Sequence, residues 1–201
     1  MKQFKIRASA AGKIMTKPRS KNEVLSKTTK SYLEEWIKEQ IYGVRKNIKS
    51  KYLTKGIEVE DDAIDYAAES LGWLFAKKNE DFFADDFFCG TPDVILEDTI
   101  IDIKSSWDCF SFPLFYKNNP SKDYYYQLQT YMHLTGRKKA QLVYVLMNTP
   151  EQLTFEDSHD YSEISSKYRI KSFDIDYSEE VIYEMQEQVI KSREYIKQLW
   201  N

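Results

Sequence analysis

Cysteine is scarce in this sequence, with only Cys89 and Cys109 among 201 residues. Two thiols are too few for a disulfide framework, a four-cysteine metal site or an iron–sulfur cluster, so these classes of protein are excluded. No apolar run approaches the roughly 18 residues that a membrane-spanning helix needs. The polar, basic residues 1–6 are not followed by an apolar segment, as a secretory signal would require. We therefore expect a cytoplasmic protein with no membrane partner.

What remains is an ordinary globular composition, with 42% hydrophobic and 30% charged residues. The chain has no internal repeat and no low-complexity tract. A chain of this length can bury a full hydrophobic core within one domain. We expect a single domain with a basic helical part at 1–55, a core at 56–150, and a final strand and helix at 151–201.

Charge is distributed unevenly along the chain. Residues 1–55 hold 15 Lys and Arg against 4 acids, a balance of +11, whereas the remainder holds 14 against 28, a balance of −14. Such an asymmetry is typical of a basic face that binds phosphates on an acidic body. A solvated, lysine-rich helix surface explains it equally well, so charge alone leaves both interpretations open.

Hydrophobic periodicity predicts alternating helices and strands. Helices are predicted at 30–42, 58–71, 124–134 and 178–200, with Gly72 and Gly136 as stops and Ser178 as an N-cap. A β-meander is predicted from the runs 73–76, 82–88, 92–96 and 100–104, and later strands from 140–147 and 168–175. This order indicates an α/β sandwich around a mixed sheet.

The chemistry is concentrated where the meander ends. Asp93 begins one predicted strand, and Asp102 and Lys104 lie two apart on the next, so their side chains share a face while Ile103 points to the core. A carboxylate among isoleucines must be paired or bind a metal. Two carboxylates and an ammonium suit Mg²⁺ or Mn²⁺, which activates water, while Lys104 orients that water or stabilises charge on a phosphate. A simple Asp102–Lys104 ion pair is the alternative.

These residues, Pro92-Asp93 followed by Asp102-Ile103-Lys104, resemble the PD-(D/E)XK nuclease superfamily. The resemblance implies a restriction-endonuclease-like sandwich with a central mixed sheet flanked by helices, and a catalytic core within 56–150. It also implies that Glu60 and the backbone carbonyl of Ile103 join the metal site. Glu58 lies off the helix face shared by Gly56 and Glu60, so Glu60 is preferred. The alternative is an acidic, solvated helix face.

The segment Tyr124-Tyr125-Tyr126-Gln127-Leu128-Gln129-Thr130-Tyr131 resembles the helix that follows the core hairpin in RecB-type and lambda-exonuclease-type nucleases. There a glutamine contacts metal-bound water or DNA backbone, which implies that role for Gln127. Tyr131 shares its face and is the implied DNA contact, while Gln129 lies on the opposite side and is the second choice. A core helix with a satisfied amide is the alternative.

The opening residues from Ile6 to Met15 resemble those of lambda-exonuclease-like (YqaJ-like) phage recombination nucleases. The resemblance implies that Arg7, Ser9 and Lys13 bind the 5′ phosphate, with Ser9 as the N-cap of a helix. Ordinary capping by Ser9 is the alternative. Trp107 either stacks on a DNA end or joins the core.

Further aromatic and histidine residues carry no predicted function. Phe110, Phe112 and Phe115 are predicted to pack internally, and His133 is assigned no role. One departure from many lambda-type relatives is aspartate rather than glutamate at Asp102, which brings the metal closer to that strand.

The resemblance implies a 5′-to-3′ exonuclease acting on linear duplex DNA ends with Mg²⁺ or Mn²⁺. It further implies a phage or prophage enzyme of a bacterial host, a single-strand annealing partner and a ring-shaped homo-oligomer such as a trimer. A RecB-like or CRISPR-associated nuclease is the alternative within the superfamily. A restriction-type endonuclease is disfavoured because no target-recognition domain is evident. The non-enzymatic alternative is a DNA-end-binding protein that retains a decayed nuclease fold.

Overall fold

The computed structural model describes residues 2–46, 50–119, 121–154 and 160–200. Its helices are α1 Ala11–Ile14, α2 Lys27–Tyr42, α3 Lys51–Glu58, α4 Glu60–Leu71, α5 Lys122–Thr135 and α6 Glu179–Trp200. Its strands are β1 Ile6–Arg7, β2 Phe83–Ala84, β3 Phe88–Gly90, β4 Val94–Ile95, β5 Thr99–Ser105, β6 Lys139–Val145 and β7 Ile170–Asp176.

The central sheet has the strand order β4-β5-β6-β7. Strands β5 and β6 run parallel, and β4 and β7 pair antiparallel on either side. A second sheet has the order β1-β3-β2, with β1 parallel to β3. The predicted α/β fold with a mixed sheet is therefore confirmed, as is the position of β7 at a sheet edge.

Helices cover both faces of the central sheet. Ile100 and Leu142 point to one face, where they pack with Leu128 and Met132 of α5. Ile101 and Val143, the next residues along the same strands, point to the other face and pack against α4. Strands buried on both faces are apolar at successive positions rather than alternating. Residues 100–103 follow this pattern except at Asp102. This burial makes any charged side chain on β5 conspicuous.

The predicted β-meander is wrong in two respects. Residues 73–76 form no strand, because Leu74 and Phe75 are exposed in the turn after α4 instead of packing in a sheet. Strand β3 pairs with β1 and β2, whereas β4 pairs with β5 in the other sheet. Pro92, which has no backbone N–H for a ladder, lies between β3 and β4. The meander is therefore divided between two sheets.

The predicted helix at 58–71 has a neighbour that the sequence pattern did not reveal. Helix α3 precedes α4, and Val59 joins them with a backbone near φ −104° and ψ 8°. The N–H of Val59 donates to Lys55 O, and the N–H of Ala63 donates to Val59 O, so helical hydrogen bonding continues through the junction. The two helices therefore behave as one continuous segment, of which the sequence predicted the second half.

Helix ends follow the predicted signals. α4 ends at Gly72 and α5 at Gly136, both in the left-handed conformation that favours glycine. Oγ of Ser178 accepts from the N–H of Val181, as expected of the N-cap of α6. Within the described ranges, no helix combines the length and apolar character needed to cross a membrane.

Candidate active site

Strand β5 presents Asp102 and Lys104 on the face covered by α5. Ile101 and Ile103, on either side of Asp102, point to the α4 face instead. Asp102 is 0% exposed. The alternation expected from the sequence therefore holds, and it places a carboxylate in the most buried layer of the molecule.

Asp102 is held by two neighbours. Nζ of Lys104 lies 2.5 Å from Oδ2, and Nε2 of Gln127 donates to Oδ1 at 2.9 Å. Burial raises the pKa of Asp102, although the charge of Lys104 opposes the shift. Burial works to lower the pKa of Lys104, but Asp102 and Asp93 outweigh it and raise that pKa. The ion pair left open by the sequence is present, and Lys104 stays protonated at neutral pH.

Asp93 lies beside the same strand. Its Oδ2 accepts from the backbone N–H of Ile103 at 2.8 Å, which brings the carboxylate next to Asp102. Burial and the charge of Asp102 raise the pKa of Asp93 to about 7. The predicted hairpin thus brings both aspartates together, at the cost of crowding two negative charges.

Glu60 begins α4, the helix that packs on the face of the central sheet opposite α5. Its charge raises the pKa of both Asp93 and Asp102. Its Oε2 is 2.5 Å from Nζ of Lys78. Glu58 accepts from Gln152 instead, which agrees with the preference for Glu60. Glu60 is therefore near the cluster but engaged by a lysine.

Whether a divalent cation fits this cluster depends on the placement of its carboxylate oxygens. Across residues 2–46, 50–119, 121–154 and 160–200, no three His, Cys, Asp or Glu side chains stand close enough to hold a metal as they are. However, Oδ2 of buried Asp102 receives no hydrogen bond of proper geometry, since its contact with Lys104 has only the distance of an ion pair. Crowded, buried carboxylate oxygens suit a hard cation such as Mg²⁺. The oxygens of Asp93 and Asp102 therefore have the chemistry that such an ion requires, while Glu60 is engaged by Lys78.

Helix α5 supplies Gln127 and Tyr131 to this cluster. Nε2 of Gln127 also contacts the Tyr131 hydroxyl at 3.1 Å. Tyr131 is only 4% exposed, so its placement supports Gln127 and does not favour the expected direct contact with DNA. Gln129 instead donates to the backbone oxygen of Asp176 and accepts from the N–H of Ser178, and it does not contact Asp93 or Asp102. The geometry brings the preferred glutamine to the site and leaves the second choice outside it.

Glycine is required next to this helix. A Cβ atom at Gly90 would lie 2.8 Å from Cε1 of Tyr131 and 3.0 Å from Cβ of Ala8. The N-terminal segment, β3 and α5 therefore meet at this point without room for a side chain. Ala8 is thereby fixed close to Tyr131.

The N-terminal trio is arranged differently from the prediction. Ser9 is exposed within a 3₁₀ turn at Ala8–Ala10 and caps no helix, because the chain begins to coil directly after Arg7. The predicted Ser9 N-cap is therefore wrong. Arg7 faces Tyr32 of α2, where its guanidinium opposes the burial that raises the pKa of that tyrosine. Nζ of Lys13 lies 5.2 Å from the centroid of the Tyr32 ring.

Lys13 also lines a cavity of about 730 Å³, the basic cavity, in which four cations, Lys13, Lys17, Arg19 and Lys27, outnumber Glu23 and Glu35. Three of these four side chains precede α2, within the basic part of the chain. The charge asymmetry seen in the sequence thus corresponds to a real concave surface. Its chemistry suits phosphate groups.

The loop after β5 carries exposed aromatic rings. Trp107 is half-buried and packs edge-to-face on Tyr52 with ring centroids 5.1 Å apart. Phe110 and Phe115 are 90% and 92% exposed, so the prediction that they pack internally is wrong, whereas Phe112 is buried as expected. The loop has no periodic structure from which their burial could have been inferred.

Lys104 and His133 make side-chain contacts that have no clear signal in the sequence. Nζ of Lys104 lies 4.9 Å from the centroid of the Tyr124 ring. His133, assigned no role, bridges Asp85 and Tyr177 at 3.0 and 3.1 Å. These contacts join elements that are distant along the chain, and hydrophobic periodicity does not predict such pairings.

Solved structures of exonucleases resemble this chain over most of its length. The chain is similar to the crystal structure of a phage-related exonuclease from Haemophilus somnus 129PT, with 30% identity, a TM-score of 0.86, and coverage of 98% of this chain and 96% of that one. It also resembles an alkaline exonuclease from Laribacter hongkongensis, at 18% identity and TM-score 0.72 over 96% of this chain and 88% of that one. The same enzyme in complex with dAMP gives 20% identity and TM-score 0.70 over 97% and 91% of the two chains. No protein-family model and no curated protein matches the sequence.

Proposed function

Because the chain belongs to the lambda-exonuclease-like (YqaJ-like) phage exonucleases of the PD-(D/E)XK superfamily, we propose that it degrades linear duplex DNA from 5′ ends with a divalent metal ion. The observation that carries this proposal is the convergence of Asp93, Asp102, Lys104 and Gln127 on one buried point beside β5. The proposal treats the whole chain as one nuclease domain.

Asp93, Asp102 and the carbonyl of Ile103 would hold the metal, with Glu60 joining after it leaves Lys78. The ion, Mg²⁺ or Mn²⁺, supplies an activated water and polarises the scissile phosphate. Replacement of the Lys78 ammonium by a divalent cation exchanges one positive partner of Glu60 for another. The exchange is inexpensive, because exposed ion pairs contribute only about 0–1 kcal/mol.

Lys104 acts as a fixed positive charge in this proposal. Its pKa is raised, so at neutral pH it holds its proton and does not serve as a base. A protonated lysine beside the carboxylates stabilises negative charge that develops on a phosphate oxygen. Gln127 keeps the Asp102 carboxylate in one orientation through its bond to Oδ1.

DNA is held by residues outside this cluster. Arg7, Ser9 and Lys13 lie on the N-terminal segment that packs beside Tyr131 through Ala8, and we assign the 5′ phosphate to them. The basic cavity that includes Lys13 accepts further backbone phosphates. Trp107, half-buried in the loop after β5, stacks on the DNA end.

The remaining partners are proposed from the resemblance to lambda-exonuclease-like phage nucleases. The proposal includes a single-strand annealing protein, a ring-shaped homo-oligomer such as a trimer, and phage-type recombination in the cytoplasm of a bacterial host. A neighbour solved with dAMP supports release of mononucleotides.

Digestion of linear duplexes labelled at either the 5′ or the 3′ end tests the proposal. We expect mononucleotide release from the 5′ end with Mg²⁺, no release in chelator, and no release by Lys104→Ala. Lys139→Ala is the matched control, since that exposed lysine forms only a 3.8 Å contact with exposed Asp98. First release from the 3′ end, or cleavage of closed circles, contradicts the proposal.

A DNA-end-binding protein without cleavage is the second candidate. The engagement of Glu60 by Lys78 is the observation that favours it. Tight binding of DNA ends without hydrolysis in both Mg²⁺ and Mn²⁺ would establish it.

A further inference from the structure

Lys55 is a lysine of the interior. It is 1% exposed, and its Nζ donates to the carbonyl oxygens of Ser106, Trp107 and Met147 at 2.8, 2.8 and 2.7 Å. A lysine ammonium has three donors, and here each has its own acceptor. This tripod of hydrogen bonds takes no part in the mechanism above.

The three acceptors lie where two parallel strands end. Ser106 and Trp107 directly follow β5, and Met147 follows β6. The carboxyl ends of parallel strands meet at one sheet edge, and here the N–H of Ser106 still donates to Val145 O. Beyond that bond the strands part, and their carbonyl groups need donors from elsewhere. Lys55 provides them from α3.

The same lysine is rigidly connected to Glu60. Helical hydrogen bonds pass from Lys55 through Val59 to Ala63, so an anchor at Lys55 also restrains the first turn of α4. Glu60 lies in that turn, whereas Lys104 lies two residues before Ser106. One side chain therefore ties the helical segment that carries Glu60 to the strand that carries Asp102 and Lys104.

We propose that Lys55 is a positioning residue, which sets the distance between Glu60 and the aspartates and holds the loop of Trp107 against α3. The inference rests on the proposed function, because it assigns to Lys55 the assembly of the proposed metal site. Hydrophobic contact alone does not explain a lysine at this position. An apolar side chain there would leave the carbonyl oxygens of Ser106 and Met147 without this donor, and Trp107 O would keep only the Thr149 hydroxyl.

Protonation of Lys55 gives a way to observe this role. Burial lowers the pKa of Lys55 to about 8, and Asp108 in the adjoining loop opposes the shift. Among the described residues, the charged Lys51 also lies here, with Nζ 4.7 Å from the centroid of the Trp107 ring. Above pH 8 the neutral amine has two donors for three carbonyls. We expect the Trp107 loop to loosen in part, because Thr149 Oγ1 still donates to Trp107 O at 3.0 Å.

The loosening is local. Because the pKa is lower in the folded protein than in the unfolded chain, the charged amine opposes folding below pH 8, and that penalty is relieved as the pH rises towards 10.5. Deprotonation of Lys55 therefore does not lower the unfolding temperature. A change in Trp107 emission near pH 8 without a lower unfolding temperature is the expected signature.

The test compares Lys55→Met with Lys51→Met, which removes a lysine from the same helix but no carbonyl donor. Calorimetry with Mn²⁺ is expected to give at least tenfold weaker binding for Lys55→Met and less than a twofold change for Lys51→Met. In digestion assays, Lys55→Met should need about tenfold more metal for half-maximal activity than wild type. Its kcat at saturating metal should fall by less than this factor of ten. Unchanged Mn²⁺ affinity in a folded Lys55→Met protein overturns the proposal.

Fluorescence decides the case independently of metal. The Trp107 signal, taken as the difference between wild type and Trp107→Phe, should titrate near pH 8 and lose that transition in Lys55→Arg, whose guanidinium stays charged. Lys55→Arg should also bind Mn²⁺ within about threefold of wild type. A transition that persists in Lys55→Arg overturns the proposal even if Lys55→Met fails to fold. Absence of Mn²⁺ binding in the wild type counts instead against the proposed function, while the fluorescence result still judges Lys55.

Discussion

Gln127 on α5 donates from Nε2 to Oδ1 of Asp102 on β5 at 2.9 Å, across 25 positions of sequence. This hydrogen bond joins the helix above the sheet to the most buried carboxylate in it. An amide is suited to the position, since it is neutral and its second contact reaches the Tyr131 hydroxyl. The orientation of Asp102 therefore depends on how α5 packs.

Gln127→Ala should reduce metal affinity or activity by about 10- to 100-fold, since loss of a group that orients a metal ligand has that effect. The loss of a donor to a buried carboxylate should also cost about 1–3 kcal/mol of stability. Gln129→Ala is the matched control. Its amide binds Asp176 O and the N–H of Ser178, so it should lower stability and leave metal affinity unchanged. Equal effects of both variants on Mn²⁺ titration would refute the assignment.

Lys104→Met should abolish DNA hydrolysis and destabilise the metal-free protein by about 3 kcal/mol, since it strips a buried carboxylate of its charged partner. Urea unfolding with and without Mg²⁺ measures this change. Mg²⁺ should recover part of the lost stability, because it neutralises the same aspartates. If Lys104→Met has the stability of wild type in chelator, the Asp102–Lys104 ion pair contributes nothing to the free energy of unfolding and the prediction is wrong.

Lys78→Ala should increase metal affinity several-fold, because it frees Glu60 from its ammonium partner. Stability should change by less than about 1 kcal/mol, as is usual for partly exposed ion pairs. The measurement is the Mn²⁺ concentration that gives half-maximal binding in calorimetry. Lys139→Ala serves as the control, and weaker binding by Lys78→Ala contradicts the proposed exchange at Glu60.

Asp93 should make the metal-free protein sensitive to pH. Its folded pKa of about 7 lies above the ordinary value of 3.8, so its contribution to stability is full below pH 4 and is lost as the pH rises through 7. Asp93→Asn, which stays neutral, should therefore exceed wild type in stability at pH 8 by about 4 kcal/mol, at about 1.36 kcal/mol per pKa unit, and match it near pH 4. Thermal unfolding in chelator at both pH values checks this. A pH-independent difference would mean that Asp93 is not crowded.

Arg7→Ala should weaken digestion of 5′-phosphorylated ends by about tenfold, as loss of a charge-assisted bond predicts. Digestion of 5′-hydroxyl ends should change little. The two substrates, compared at equal DNA concentration, provide their own control. If both ends respond alike, Arg7 acts through its contact with Tyr32 and holds no phosphate.

Much of the fold followed from patterns within short segments. The helices ending at Gly72 and Gly136 and the cap at Ser178 have local signals, and these predictions are confirmed. The exposed Phe75 and the wrongly predicted cap at Ser9 show the limit of such signals. Hydrophobicity alone does not show whether an apolar residue in a turn, such as Phe75, is buried by the rest of the chain. A polar residue near a helix, such as Ser9, does not fix the residue at which the helix begins.

By itself the sequence determined which side chains share a strand face. The alternation around Asp102, Ile103 and Lys104 needs only extended backbone, whose side chains point to opposite faces in turn. Only the tertiary structure decided the partners: Gln127 for Asp102, Lys78 for Glu60, and the carbonyl groups that surround Lys55. Those contacts depend on how α3, α4 and α5 pack against the sheet. Such packing minimises exposed apolar surface over the whole chain, and no short segment encodes it.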